Sequence, residues 1–230
     1  MTIVDVRDTA LPRPDWCAAF DRDGFVVLSG VAPPSFVAEA RQIIDGSVLG
    51  DGAPSPELDE LTRHRWLAEV GATALGVEAI GSVGWSFVRV HQPADERSLV
   101  PWHQDVQCLG PIVGERFVTL WLPIEVEGDE PVMEVAAAPA DRRMFEPTIS
   151  MRTGYSCMCE RDVRLLGATD LVRARPGDLL VLASTTPHRT VPNRTARARW
   201  SVDLRVAPLA GPSVPPTDDR QRRAGCREPG

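Results

Sequence analysis

The chain has 230 residues, 43% of them hydrophobic and 25% charged, and carries a formal net charge of −7 at pH 7. That length supports one domain with a substantial core, the composition is ordinary for a globular protein, and the acidic balance excludes a surface built to hold nucleic acid. No apolar run approaches the length of a membrane span, and MTIVDVRDTALPRPDW lacks the apolar segment of a secretory leader; the five scattered cysteines (Cys17, Cys108, Cys157, Cys159, Cys226) are therefore expected to be reduced thiols in a cytoplasmic protein.

In chain order, a short extended lead is followed by FDRDGFVVLSGV, read as a turn at Asp23-Gly24 and a strand over 25–28. PPSFVAEARQIIDG places Phe36, Val37, Ala40, Ile43 and Ile44 on one helical face, with Pro ahead of it and Gly46 at its end. DGAPSP is a loop. ELDELTRHRWLAEVGATALG reads as a second helical region, with Leu67, Val70 and Ala74 on one stripe.

From about Gly81 the texture changes to short alternating runs punctuated by Pro and Gly. Strands are expected over 85–91, 117–122, 132–136, 170–175, 179–183, 188–191 and 199–206, with Pro176-Gly177-Asp178 as a hairpin corner. Helices first and many short strands afterwards point to an antiparallel sandwich or barrel with helices packed outside. The expected organisation is one domain over 1–210, helical from about 15 to 80 and β from about 81 to 206, with a poorly ordered tail over 211–230.

PWHQDVQCLG puts a histidine two residues before an aspartate in a chain with only four histidines. Side chains two apart on a strand share a face, so His103 and Asp105 can both point into a barrel. Imidazole and carboxylate suit Fe(II), and a second histidine completes a facial triad with three positions left open. His64 lies in the charged helix LTRHRW. His91 ends a strand and shares a face with Trp85, Phe87 and Arg89. His188 lies far downstream, where a ligand from a facing strand belongs.

HRTVPNRTARARWSVDLR together with WHQD resembles the phytanoyl-CoA dioxygenase family of Fe(II)/2-oxoglutarate oxygenases. The pattern H-x-T-x-x-N-x(5)-R is met by His188, Thr190, Asn193 and Arg199, and Asn193 is the only asparagine in the chain. FDRDGFVVLSGV and RPGDLLVL also resemble family segments, so the likeness spans most of residues 16–206. It implies a double-stranded β-helix (jelly-roll, cupin-like) core with the N-terminal α-helices outside. It also implies Fe(II) held by His103, Asp105 and His188, with 2-oxoglutarate as co-substrate and O2 as oxidant.

The resemblance further implies that Arg199 and Thr190 hold the distal carboxylate of 2-oxoglutarate, a role that suits the bidentate fork of a guanidinium. Gln104 and Trp121 are implied near its metal-bound end, with Trp121 facing inward beside Thr119 and Phe117. Arg89 is the closest match to a basic residue that completes the pocket. Where the family carries a PGSH-like segment, this chain has PVMEVAAAPADRRMF, which leaves the substrate open. Ser201, Asp203 and Arg205 alternate along the strand of Arg199 and are placed to touch either substrate or each other. Cys157-x-Cys159 lacks a partner pair and is read as packing.

The implied activity is oxidation of a substrate C–H bond, hydroxylation by default, on a small molecule of specialised metabolism. Desaturation, ring closure and epoxidation share the ligand set. Halogenation is disfavoured, because it needs an open position where Asp105 supplies its carboxylate. The rival readings are a cupin-type metalloenzyme without 2-oxoglutarate, which leaves Arg199 and Thr190 without a role, and a barrel that binds a small ligand without catalysis.

Overall fold

The computed structural model describes residues 3–5, 15–46 and 54–209; the tail expected over 211–230 lies outside them. In chain order the elements are β1 (Ile3–Asp5), α1 (Asp15–Asp23), β2 (Phe25–Ser29), α2 (Pro34–Gly46), α3 (Pro56–Leu61), α4 (Arg65–Leu75), β3 (Ile80–Ser82) and β4 (Phe87–His91). There follow α5 (Asp105–Val113), β5 (Val118–Glu125), β6 (Met133–Ala136), β7 (Pro147–Ile149), β8 (Ser156–Met158), α6 (Glu160–Val163), β9 (Thr169–Val172), β10 (Leu179–Ala183), β11 (His188–Thr190) and β12 (Arg199–Pro208).

The strands form a large sheet in the order β1-β2-β10-β5-β12-β3, with β4 also paired to β12, a small sheet β11-β6-β9, and the ribbon β7-β8. All pairings but β1–β2 are antiparallel. Period-two alternation divides the large sheet into two faces. One face, carrying Val26, Leu28, Leu120, Leu122, Val181 and Leu204, packs against Trp16, Phe36, Leu58, Leu67 and Val70 of the helices. The other, carrying Phe25, Val27, Trp121, Leu180 and Leu182, packs against Val132, Met133, Val135 and Val172 of the small-sheet side. Full burial of such side chains contributes roughly 1.5–3 kcal/mol each. Gly71 lets α4 sit close on the sheet: a Cβ there would stand 2.7 Å from Ile80 Cδ1 and 2.9 Å from Val206 Cγ2.

The expected strands are all present, and β10 has the expected bounds. Four local expectations need correction. The lead before Phe25 contains a helix, α1, because Trp16, Ala19 and Phe20 form a buried stripe at helical spacing. The second helical region is two helices: the amides of Thr62, Arg63 and His64 bond back three residues, tightening and ending α3. Phe117 does not face inward with Trp121 but precedes β5 and packs on Val106 and Leu109. Asp105 is not on a strand: it opens α5, where a carboxylate is favoured by the helix dipole.

No described helix is long and apolar enough to cross a membrane.

Candidate metal centre

The site is built where the segment before α5 meets β11. His103 and His188 exchange both backbone hydrogen bonds, each N–H to the other's carbonyl at 3.0 Å. Because they face each other in an antiparallel pair, both rings leave the backbone on one side, with centroids 4.1 Å apart. The chain then turns into α5, which swings Asp105 onto the same spot. Ligand atoms of His103, Asp105 and His188 lie within 4.8 Å of one another, and all three residues are buried. Among the described residues this is the one His/Cys/Asp/Glu group arranged to hold a metal ion, so Cys157 and Cys159 belong to no such group.

Each imidazole is aimed by its own backbone. His103 Nδ1 lies 2.9 Å from the Pro101 carbonyl and His188 Nδ1 lies 2.9 Å from the Thr186 carbonyl. A carbonyl only accepts, so Nδ1 carries the proton in both rings and Nε2 is left with its lone pair toward the centre. Burial, followed by the neighbouring His103, pushes His188 down to about 4, so it stays a neutral donor near pH 7.

Burial alone would push the Asp105 carboxyl up; Arg205 first, then His103 and His188, overcome this and hold it well below the usual carboxylate range. Arg205 Nη2 donates to Asp105 Oδ1 at 3.2 Å, and the Thr119 hydroxyl donates to Oδ2. Thr119 and Arg205 are direct neighbours across the β5–β12 ladder, so one rung of the sheet grips both oxygens. Neither residue carries a motif signal, and alternation along β5 and β12 was the only clue to them.

The cavity in front of this group is lined by His103, Asp105 and His188 with Arg89, His91, Thr119, Trp121, Thr190, Asp203 and Arg205, and by apolar Val100, Val132, Met133 and Leu182. The motif residues Thr190, Trp121 and Arg89 are thus brought together with the triad. Arg89 Nε bonds Asp203 at 3.2 Å. A larger open groove of about 620 Å³ along α4 and β3 contains none of these residues, and its size implies no chemistry.

Gln104 is not brought to the cavity. It is fully buried, and its amide NH2 donates to the carbonyls of Thr185 and Arg143 at 2.6 and 3.1 Å while its oxygen accepts from Phe145 N–H at 2.7 Å. The segment that stands in place of the PGSH-like stretch is thereby engaged with the metal group, since the backbones of Arg143 and Phe145 clamp the residue between His103 and Asp105. Gln107 adds to this grip, its Oε1 accepting from Gln104 N–H at 2.9 Å.

Arg199 sits at the start of β12 opposite His91 and is 4% exposed. Its Nη2 donates to the Val191 carbonyl at 2.9 Å and its Nη1 to the Pro131 carbonyl at 3.4 Å, while its Nε has no partner. Among the described residues no carboxylate pairs with it, and burial lowers it to about 10. Asn193 fixes the approach to β12, its Nδ2 donating to the carbonyls of His91 (2.8 Å) and Arg197 (2.7 Å). His91, pushed down to about 3 by burial and then by Arg199 and Arg89, is a neutral imidazole on the cavity wall.

No protein-family model matches the chain, and no curated protein matches it in sequence. Solved structures match its fold. The chain is similar to EvdO2 from Micromonospora carbonacea var. aurantiaca, complexed with 2-oxoglutarate, at 20% identity and a TM-score of 0.69 over 91% of this chain and 97% of that one. It is similar to the epimerase SnoN in complex with Fe3+, alpha ketoglutarate and nogalamycin RO at 16% identity and a TM-score of 0.60 over 83% and 81% of the two chains. EctD from S. alaskensis, with 2-oxoglutarate and 5-hydroxyectoine, matches at 19% identity and a TM-score of 0.61 over 84% and 74%. The chain thus has the fold of these 2-oxoglutarate-binding proteins.

Proposed function

We propose that the chain is an Fe(II)/2-oxoglutarate-dependent dioxygenase of the phytanoyl-CoA dioxygenase type, with a double-stranded β-helix core in a single domain over 1–210. Its substrate is a small molecule of specialised metabolism, taken in the cytoplasm, and hydroxylation of a C–H bond is the default outcome. His103, Asp105 and His188 hold the ion, two imidazoles and one carboxylate being a donor set that suits Fe(II). When bound, the ion and co-substrate supply the oxidising chemistry: dioxygen is reduced, 2-oxoglutarate leaves as succinate and CO2, and a substrate C–H bond is oxidised.

The observation that carries the co-substrate is Arg199. A buried guanidinium without a carboxylate partner is costly, and its orphaned Nε asks for an acceptor. The distal carboxylate of a keto-diacid supplies both the charge and the acceptor; Arg199 lies behind the cavity, paired with the wall residue His91, and Thr190 on the wall itself adds a hydroxyl donor. Trp121 and the apolar wall exclude water, which strengthens that pairing. Gln104 acts from behind the H-x-D segment by fixing its backbone, and Arg89 lines the substrate side of the cavity with Asp203. A cupin-type enzyme without 2-oxoglutarate leaves Arg199 unexplained.

The test is an anaerobic titration with Fe(II) and then 2-oxoglutarate, watched for the weak visible charge-transfer band, followed by a succinate-release screen over candidate small molecules. The band is expected in the native chain and is expected to be lost in Arg199→Met. A native chain that binds Fe(II) but gives neither the band nor succinate would refute the co-substrate assignment.

A further inference from the structure

Arg205 ties the candidate metal group to the substrate side of the cavity. It is 3% exposed, and its Nη2 lies 3.2 Å from Asp105 Oδ1 and 3.5 Å from Asp203 Oδ2. Its Nη1 donates to the Trp85 carbonyl at 3.0 Å, and the ring of Phe87 lies 4.8 Å beneath it. The same Asp203 oxygen accepts from Arg89 Nε at 3.2 Å. Charges of alternating sign therefore run from the proposed ion to the cavity wall: Asp105, Arg205, Asp203, Arg89.

We infer that Arg205 is a positioning residue that sets how tightly Asp105 binds a divalent ion, and that Asp203 tunes this strength through Arg205. The inference rests on the proposed metal role of His103, Asp105 and His188. A guanidinium on a ligating carboxylate draws electron density away from the metal-facing oxygen and repels a second cation, and in a buried site neither effect is screened. Orientation of Asp105 has a separate support, because the Thr119 hydroxyl holds its other oxygen. Loss of Arg205 thus removes charge from the ligand without releasing its direction. Asp203 shares the guanidinium, so loss of the Asp203 charge concentrates the pull on Asp105.

The experiment is a double-mutant cycle on the full chain stripped of metal, titrated with Co(II) against a chromophoric chelator, with the Fe(III)/Fe(II) potential measured in parallel. Arg205→Met is expected to tighten Co(II) binding by about tenfold and lower the potential, with Arg205→Lys close to the native value. Asp203→Asn is expected to weaken binding and raise the potential in the native background. In the Arg205→Met background, Asp203→Asn is expected to change both much less, leaving only its direct effect through space. An equal effect of Asp203→Asn in both backgrounds overturns the relay, since the aspartate then acts directly through space. Weaker binding in Arg205→Met overturns it too, since Arg205 is then only an orienting arm. If Arg205→Met does not fold, an unchanged Co(II) affinity in Asp203→Asn alone overturns the inference. Failure of the native chain to bind Co(II) at all instead removes the functional reading on which it rests.

Discussion

His103 and His188, far apart in the chain, are held together by two main-chain hydrogen bonds of 3.0 Å, independently of their rings. Ring placement is therefore a consequence of strand pairing. His103→Ala and His188→Ala should each abolish divalent-metal binding while costing no more than about 2 kcal/mol of stability, because the backbone pair survives. Chelator competition and urea unfolding measure the two effects separately. Tight metal binding in both variants would remove the histidines from the site.

Asp105→Ala should behave differently. It also removes metal binding and turnover, but it leaves the buried Arg205 with one carboxylate fewer, so the metal-free protein should lose about 3 kcal/mol or more. Wild-type-like turnover in Asp105→Ala or Asp105→Gly would refute the assignment of its carboxylate.

Arg199→Met should separate binding from folding. The guanidinium is buried without a carboxylate partner among the described residues, so an apolar side chain of similar length removes a charge penalty that offsets the two lost hydrogen bonds to the Val191 and Pro131 carbonyls, and the variant should melt near the native temperature. Affinity for 2-oxoglutarate should fall by about 100-fold, read by calorimetry with Mn(II) in place of iron. A destabilised variant with unchanged 2-oxoglutarate affinity would place Arg199 in the core rather than in the site.

Gln104→Leu should cost about 3 kcal/mol, because the carbonyls of Thr185 and Arg143 and the N–H of Phe145 lose their partner in a dry interior. Metal affinity should fall with it, since the same residue fixes the turn between His103 and Asp105. Denaturant midpoints compared with and without Co(II) report both.

Acidification should destabilise the metal-free chain through two histidines. Burial lowers His91 to about 3 and His188 to about 4, both below the ordinary value of 6.5. The unfolded chain therefore binds these protons first, so stability is intact above pH 6.5 and falls as pH drops from 6.5 toward 4. Thermal melts across that window should show the loss, and His91→Gln should reduce its slope. A native melting temperature independent of pH over this range would contradict the buried, neutral state of both rings.

What local sequence determined is what depends on local periodicity and residue chemistry. The alternation in LLVLA and VTLWL set which side chains face the helices and which face the small sheet, because strand geometry leaves two directions only. His103, Asp105 and His188 were legible through the likeness of WHQD and HRTVPNRTARARWSVDLR to a family pattern, and their ligand atoms do come within 4.8 Å of one another. Tertiary structure decided the rest, through distances that no spacing encodes. It put Asp105 at a helix start, placed Thr119 and Arg205 on its two oxygens, engaged Gln104 with three backbone groups, and left Arg199 without a carboxylate among the described residues. Charge pairing and hydrogen-bond satisfaction act through space at a few ångströms, and the partners come from strands and loops that the chain brings together only on folding.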